Sequence, residues 1–539
     1  MHRKHPAAQA WPEAFAVPFS ARAHAALPGL LFGAFSVLLF LAYARFLRLH
    51  EMFPSASIGA FAAVLLACVA ASRIGYDGVV PPLRTLMRGL AAACGLYNLA
   101  LFPGMPAIAH NFGGHAGAIL AGAWAVAALA AVLAMWRPAW LLLCAYYVFW
   151  IKNVAGYLTG FEMHTLLDIL PLYQLPAYLA LAVVALQAVR GSRLHASLAA
   201  SSVEPQIVLL WLGIGVQAAN YFYSALTKAT LDGGLSDWVL HNDNVNLFLV
   251  ALHNKQLLWG DWTALTAWTA QALTFGARPL AAAILLGQLC ALAAFSSKRL
   301  MLLLFGFFDA LHMGIFVLSG ANFWTWFMVN LAILAALAQM PRAAFNWRTG
   351  LAGAALILAA PLWTHVARLG WYDTLALNAV RLEALSADGR RTRVPMSAFG
   401  FYSYPLAHMS FGLPPGSYVP TGTNGGTSRS AIRKQAERCE FSNRDSVLAQ
   451  NWQPDRFSAL LRGYHRYMLE RVGPDGHWTN QLYPHHFWSA PSVAGAFADL
   501  DIRSVTTYAL VTEALCLQAR TGAVARTLYA NEFLIDVAR

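Results

Sequence analysis

Charge is scarce in this 539-residue sequence: Asp, Glu, Lys and Arg make up 12% of it, about half of the roughly 25% usual in soluble chains. With 58% hydrophobic residues and a mean hydropathy of +0.50, this excludes an ordinary soluble domain and puts most of the chain in lipid. Cysteine is sparse as well: there are six, with no CxxC or CxxH spacing, so no zinc framework is written here. Cys68, Cys94, Cys144 and Cys290 fall in apolar runs and read as small hydrophobes. Cys439 and Cys516 lie in a polar C-terminal part and are able to pair if that part faces an oxidising compartment, a pairing the spacing leaves open.

The signatures of common soluble enzymes are missing too. The sequence has no GxSxG, no HExxH, no Walker loop and no GxGxxG followed by an acidic residue, and His485–His486 are too isolated for a metal site. The net charge of +12 comes without a basic stripe interleaved with aromatics, which excludes nucleic acid as the partner and fits cytoplasmic loops against anionic lipid. No internal repeat stands out, which counts against repeat-built transporters.

What is present is apolar runs of membrane length. A helix needs about 20 mostly apolar residues to cross the hydrocarbon core, and about eleven candidate spans meet that test. They cover 27–46, 55–73, 86–105, 115–136, 139–158, 163–189, 205–228, 279–296, 300–319, 321–340 and 349–369. Residues 261–278 are too short and mixed to span and read as a helix lying at the interface. Lys and Arg collect in loops after even-numbered spans (WRP, VRGSRLH, SSKR, PRAAFNWR), with RFLRLH after the first span as the exception. This bias predicts a cytoplasmic N-terminus, an outer 229–278 connection and an outer tail. The N-terminal segment is too long and mixed before the first apolar run to be a cleavable signal.

The expected fold is therefore an all-α polytopic membrane protein of about eleven transmembrane helices with a small C-terminal extracytoplasmic α+β domain. Its parts are a cytoplasmic segment (1–26), a transmembrane domain (27–369) and the extracytoplasmic domain (370–539). In the tail, AVRLEALSADGRRTRVPMSAF alternates around Ala-Asp-Gly and predicts a hairpin. Helical patterns follow at 456–472 and 503–525.

Ionisable groups inside spans usually face a protein interior or a functional cavity. Lys228 ends the run PQIVLLWLGIGVQAANYFYSALTK. Its ordinary reading is a snorkelling cation; the sharper one is an amine in an apolar pocket lined by Tyr221, Phe222 and Tyr223, desolvated enough to act as a general base. His164, in GFEMHTLLDIL, falls on the same outer side by the predicted topology. His312 sits in LFGFFDALHMGIFVLSG with Asp309 three residues earlier on the same face, placed to orient it. The loop DWVLHNDNVNLF (237–248) gathers amides beside Trp238 and Phe248, either as a plain outer loop or as a re-entrant substrate element.

These residues carry a resemblance. YFYSALTK followed by SDWVLHN resembles the corresponding region of vitamin K-dependent γ-glutamyl carboxylase and its bacterial relatives, the HTTM membrane family. The stretch from SKRLMLLLFGFFDALHMG to LAALAQMPR is similar to that family's later pair of spans, and EMHTLLDIL to its histidine-starting span. The resemblance is firmest over 205–345, looser over 20–205, and stops near 380. It implies that Lys228 is the base that deprotonates a reduced quinone of the vitamin K or menaquinone type. It also implies that His164 supports the charged intermediate, that His312 matches the family's later-span histidine, and that Tyr221, Phe222, Tyr223 and Trp238 hold the ring. Oxygen and carbon dioxide would be co-substrates, and an extracytoplasmic peptide or protein the substrate. Other readings stay open: an accessory protein of the same family linked to toxin-peptide maturation, a transporter, or a membrane anchor for the tail.

Overall fold

A computed structural model of the chain describes residues 19–53, 55–101, 114–159, 166–201, 204–231, 234–373, 375–395, 398, 412, 414, 425–426, 452–478, 488–518 and 521–537. His164, Cys439, His485 and His486 lie outside the described residues.

The helices, in chain order, are α1 (Phe19–Met52), α2 (Ala56–Ala70), α3 (Pro81–Leu101), α4 (Gly114–Ala134), α5 (Pro138–Thr159), α6 (Leu166–Ala188), α7 (Arg193–Ala199), α8 (Pro205–Ala229), α9 (Asp237–His241), α10 (Asn244–His253), α11 (Thr263–Leu289), α12 (Lys298–Ser319), α13 (Trp324–Ala338) and α14 (Trp347–Ala359). Eight helical stretches among the described residues are long and apolar enough to cross a membrane: Leu27–Met52, Ala56–Arg73, Gly117–Ala134, Pro138–Tyr157, Asp168–Ala188, Pro205–Ala229, Thr263–Ser296 and Lys298–Ser319. The other three sequence-derived spans are helical but differ in kind. α3 has 21 residues but carries Arg84, Arg88 and Asn98, while α13 and α14 are apolar and only 15 and 13 residues long.

Residues 261–278 are expected to form a separate interfacial helix; instead 263–278 run on through Pro279 as the first part of the 27-residue α11. Proline removes one donor from a helix, and neighbouring helices tolerate that loss inside a bundle. α5, α6 and α8 are the most enclosed of the long helices. Small residues set the closest crossings: a Cβ on Gly89 of α3 would lie 2.6 Å from the Ala332 Cβ of α13, the contact that lets membrane helices approach without a hydrophobic driving force.

Past α14 a 3-10 turn (Ala360–Leu362) leads on to a sheet formed by β2 (Ala376–Ser386), β3 (Arg391–Arg393), β5 (Val505–Leu517) and β6 (Val524–Asp536), in the antiparallel order β3-β2-β5-β6. A small separate pair joins β1 (Tyr372–Asp373) to β4 (Gly425–Gly426). The expected hairpin is β2–β3, whose turn uses Gly389 at φ +83°, a conformation open to glycine without penalty. The expected helix at 456–472 is α15 (Pro454–Leu469), and α16 (Pro491–Ala498) follows it. The expected helix at 503–525 is not formed: β5 occupies it as a central strand paired with β2 on one side and β6 on the other. Being buried on both faces, its run of apolar residues loses the strand alternation and mimics a helical pattern, while Val505, Thr506, Thr507, Tyr508 and Val511 supply the β-branched and aromatic content of a strand.

One face of the sheet packs Leu382, Ala384, Tyr508 and Leu510 with Leu461 and Tyr464 of α15. The other sets Ala379, Leu515 and Leu517 against Val245, Leu249, Ala270 and Leu273 of α10 and α11. The turn between those two helices completes the docking: Asn254 O accepts from Arg393 at 2.6 Å, and Lys255 O from Ala490 N at 2.8 Å. Cys516 on β5 is disulfide-bonded.

Candidate functional site

α8 presents one polar face, Asn220, Ser224 and Lys228, spaced one turn apart. That face binds the extended segment following α14. Asn220 Oδ1 accepts from Ala367 N (2.8 Å), Ser224 Oγ donates to Ala367 O (3.3 Å), and Lys228 Nζ donates to Leu369 O (2.7 Å). The Lys228 amine also reaches Gln288 Oε1 at 3.2 Å and Ser224 O at 3.4 Å. The segment lies hard against the helix, since a Cβ on Gly370 would come within 3.0 Å of Lys228 N. Irregular backbone beside membrane helices needs its polar groups satisfied by protein, and this ladder does so.

A polar cap covers the same end of α8. The Lys228 ammonium lies 5.5 Å from the Trp238 ring centroid, a cation–π geometry, and Trp238 Nε1 donates to Trp371 O at 2.8 Å. Tyr372 donates to Asp237, which also pairs with His241 Nδ1 at 2.9 Å. Asn242 brackets Asp373, accepting from its N–H (2.8 Å) and donating to its Oδ2 (3.1 Å). Burial pushes the Asp373 carboxyl up to about 6, against the opposing pull of its bonds to Asn242 and Trp371 and of the Lys228 charge. No carboxylate lies within ion-pair distance of Lys228 among the described residues; its partners are neutral oxygens.

A second polar group lies deeper on the same helix, between α8, α12 and α13. Gln217 Nε2 donates to Asn330 Oδ1 (3.0 Å), and Asn330 Nδ2 donates to Tyr221 Oη (2.7 Å) and to Asp309 Oδ1 (2.8 Å). Tyr221 stacks on Phe308 at 3.7 Å between centroids. His312 is 9% exposed and sits 5.6–6.0 Å from the rings of Phe323, Tyr221 and Trp326. Two buried atoms here have no hydrogen-bond partner: Asp309 Oδ2 and His312 Nδ1. The expected pairing of Asp309 with His312 is not formed; Asn330 holds the carboxylate instead.

Lys228 and Trp238 are thus brought together, whereas the three expected ring-holding residues of α8 make their contacts elsewhere. Tyr221 joins the deeper cluster with His312, Tyr223 Oη donates to Leu358 O (2.7 Å), and Phe222 packs edge-on against Tyr223. His164 lies outside the described residues. Sequence reasoning missed Gln217, Asn330 and Asp373. Gln217 and Asn330 each stand as an amide inside an apolar run, GIGVQAAN and FMVNLAIL, and that isolation was the available signal. Against family models, curated proteins and solved structures, the chain gives no match.

Proposed function

We propose that the chain is an integral membrane enzyme of the vitamin K-dependent γ-carboxylase-like (HTTM) type. It uses a reduced quinone, with oxygen and carbon dioxide as co-substrates, to carboxylate or oxygenate an extracytoplasmic peptide or protein. In this reading the eight long apolar helices are joined by α3, α13 and α14 as eleven crossings, and the collection of Lys and Arg in loops after even-numbered spans puts the N-terminus in the cytoplasm and the tail outside. The disulfide-bonded state of Cys516 supports an oxidising compartment for the tail.

The observation that carries the reading is the pair of partnerless atoms Asp309 Oδ2 and His312 Nδ1, buried among Tyr221, Phe308, Phe323 and Trp326. A buried polar atom without a partner costs about 1–3 kcal/mol, and ionisable side chains inside a bundle mark functional sites by default. Flat aromatic walls beside two open polar atoms fit a planar ring bearing hydroxyls. A reduced quinone would supply two electrons and two weakly acidic hydroxyl groups there. Asp309 Oδ2 and His312 Nδ1 are the atoms free to take those protons, and Asn330 fixes the carboxylate that receives one of them. Lys228 fits a quinone less well, since its amine already points at three protein oxygens and a head group would have to displace one.

The test is purification with native lipid followed by mass spectrometry for a bound quinone, on wild type and on His312→Phe and Asp309→Asn. Co-purification that fails in both variants supports the reading. Its absence from the wild-type protein sinks it. Lys228→Arg then separates base from clamp, because arginine keeps the donors to Leu369 O and Gln288 but cannot give up its proton. Activity retained in Lys228→Arg removes lysine as the base.

A further inference from the structure

A third set of buried polar atoms lies on α1, α2 and α5, and the reading above does not use it. Tyr43 Oη and His50 Nδ1 on α1, Ser57 Oγ on α2 and Tyr146 Oη on α5 are each buried with no hydrogen-bond partner. The four residues are 8%, 5%, 1% and 0% exposed. They are not scattered. Tyr43 and His50 are two turns apart on one face of α1, about 10 Å along its axis. The His50 ring stands edge-on to Tyr146 at 5.6 Å and to Phe46 at 4.3 Å. Phe61 of α2 faces Tyr146 at 6.1 Å and Trp150 at 4.9 Å, and Trp150 Nε1 donates to Ser57 O at 2.9 Å.

Each such atom costs stability when nothing bonds to it, and three of them, on His50, Ser57 and Tyr146, are joined by the same rings, a large burden on a marginally stable fold. Phenylalanine or alanine in their positions would pack the same space without that burden. The partnerless groups are hydroxyls and an imidazole nitrogen, none of them a fixed charge. Their chemistry suits an uncharged occupant.

We propose that α1, α2 and α5 form a binding site for a neutral lipophile whose head carries a hydroxyl or carbonyl oxygen. Tyr146 and His50 hold that oxygen, and Phe46, Phe61 and Trp150 wall the ring or chain that bears it. The site is separate from the Asp309–His312 cluster on α12, so its fate does not depend on the quinone reading.

Trp150 provides the readout, and 4-bromophenol is the probe. Bromine quenches a nearby indole, and the difference between wild type and Trp150→Phe isolates that indole in the purified full chain. Bromobenzene, which lacks the hydroxyl, is the control. The expected result is saturable Trp150 quenching by 4-bromophenol, with an apparent affinity 2- to 10-fold tighter than for bromobenzene. Tyr146→Phe and His50→Phe are expected to abolish that preference and leave bromobenzene binding unchanged. Quenching that rises linearly for both probes, as for partition into detergent, overturns the proposal, and so does an unchanged preference in both variants. Melting temperature gives a second reading that tolerates a poorly binding variant. Without ligand, Tyr146→Phe is expected to melt at or above the wild-type temperature, because it removes a hydroxyl that lacks a partner. A clear fall shows that the hydroxyl has a protein partner and overturns the site.

Discussion

α8 carries two polar regions, and they treat their hydrogen bonds in opposite ways. Along its C-terminal half Lys228, Ser224 and Asn220 are matched to backbone oxygens and N–H groups of residues 367–369. On a neighbouring face of the same helix, with Tyr221 about 10 Å along the axis from Lys228 at 1.5 Å per residue, Tyr221 and Gln217 meet Asn330, Asp309 and His312, where two buried atoms are left without partners. A satisfied set holds structure together and has nothing left for a ligand. A set held open costs stability and is the more informative place to look for chemistry. The residue that the sequence made most prominent, Lys228, sits in the satisfied set.

The sharpest way to break the contrast is His312→Phe. Loss of an acid–base group costs about 10²–10⁴-fold in rate, so activity should fall by that much while the melting temperature stays level or rises, since an unpartnered nitrogen is removed. Unfolding of the variant would show that Nδ1 is bonded after all. Asn330→Leu should do the reverse. It leaves the buried Asp309 carboxylate and the Tyr221 hydroxyl without their donor, a loss of about 3–5 kcal/mol if the carboxylate stays charged, read from thermal or denaturant unfolding in detergent. A small effect would mean that the amide network does not hold the cluster.

The outline of this arrangement is legible in the sequence because lipid imposes simple rules. Long apolar runs become helices, and Lys228, Asp309 and His312 are conspicuous among them. What they bond to is not legible. Leu369 lies 141 residues from Lys228, and Asn330 lies 113 from Gln217; nothing in local spacing encodes such pairings. The aromatics of YFYSALTK illustrate the same limit: neighbours in sequence, they point to different helices because successive helical residues are about 100° apart. β5 was misread because a strand covered on both faces shows no alternation.

A buried histidine that does have a partner sharpens the comparison at smaller scale. His465 on α15 is 2% exposed, and its Nδ1 lies 3.1 Å from Tyr508 Oη on β5. Burial pushes its imidazole down to about 4. The neutral form is therefore favoured in the folded tail, while the unfolded chain binds a proton near 6.5. Its contribution to stability is fully present above pH 6.5 and is lost as pH falls from there towards 4, about 3 kcal/mol in all. Asp373, held up at about 6 by burial, acts with the opposite sign: in that same range stability falls as pH rises. The difference between wild type and His465→Phe isolates the histidine. That difference should shrink steadily between pH 6.5 and 4 in unfolding followed by near-UV dichroism. A constant difference would leave His465 without a proton-linked role.

The smallest effect belongs to the satisfied set itself. Ser224 Oγ donates to Ala367 O and accepts from Leu369 N at 3.4 Å, so Ser224→Ala removes two weak bonds from the clamp. Asn220 still holds Ala367 N and Lys228 still holds Leu369 O. With the segment kept in place by both neighbours, the loss should be about 1 kcal/mol, the net worth of an ordinary hydrogen bond. Activity should follow stability, not fall ahead of it. If Ser224→Ala instead lowers activity a hundredfold at unchanged melting temperature, the C-terminal end of α8 is a reacting site, and the division between its clamping and open regions is wrong.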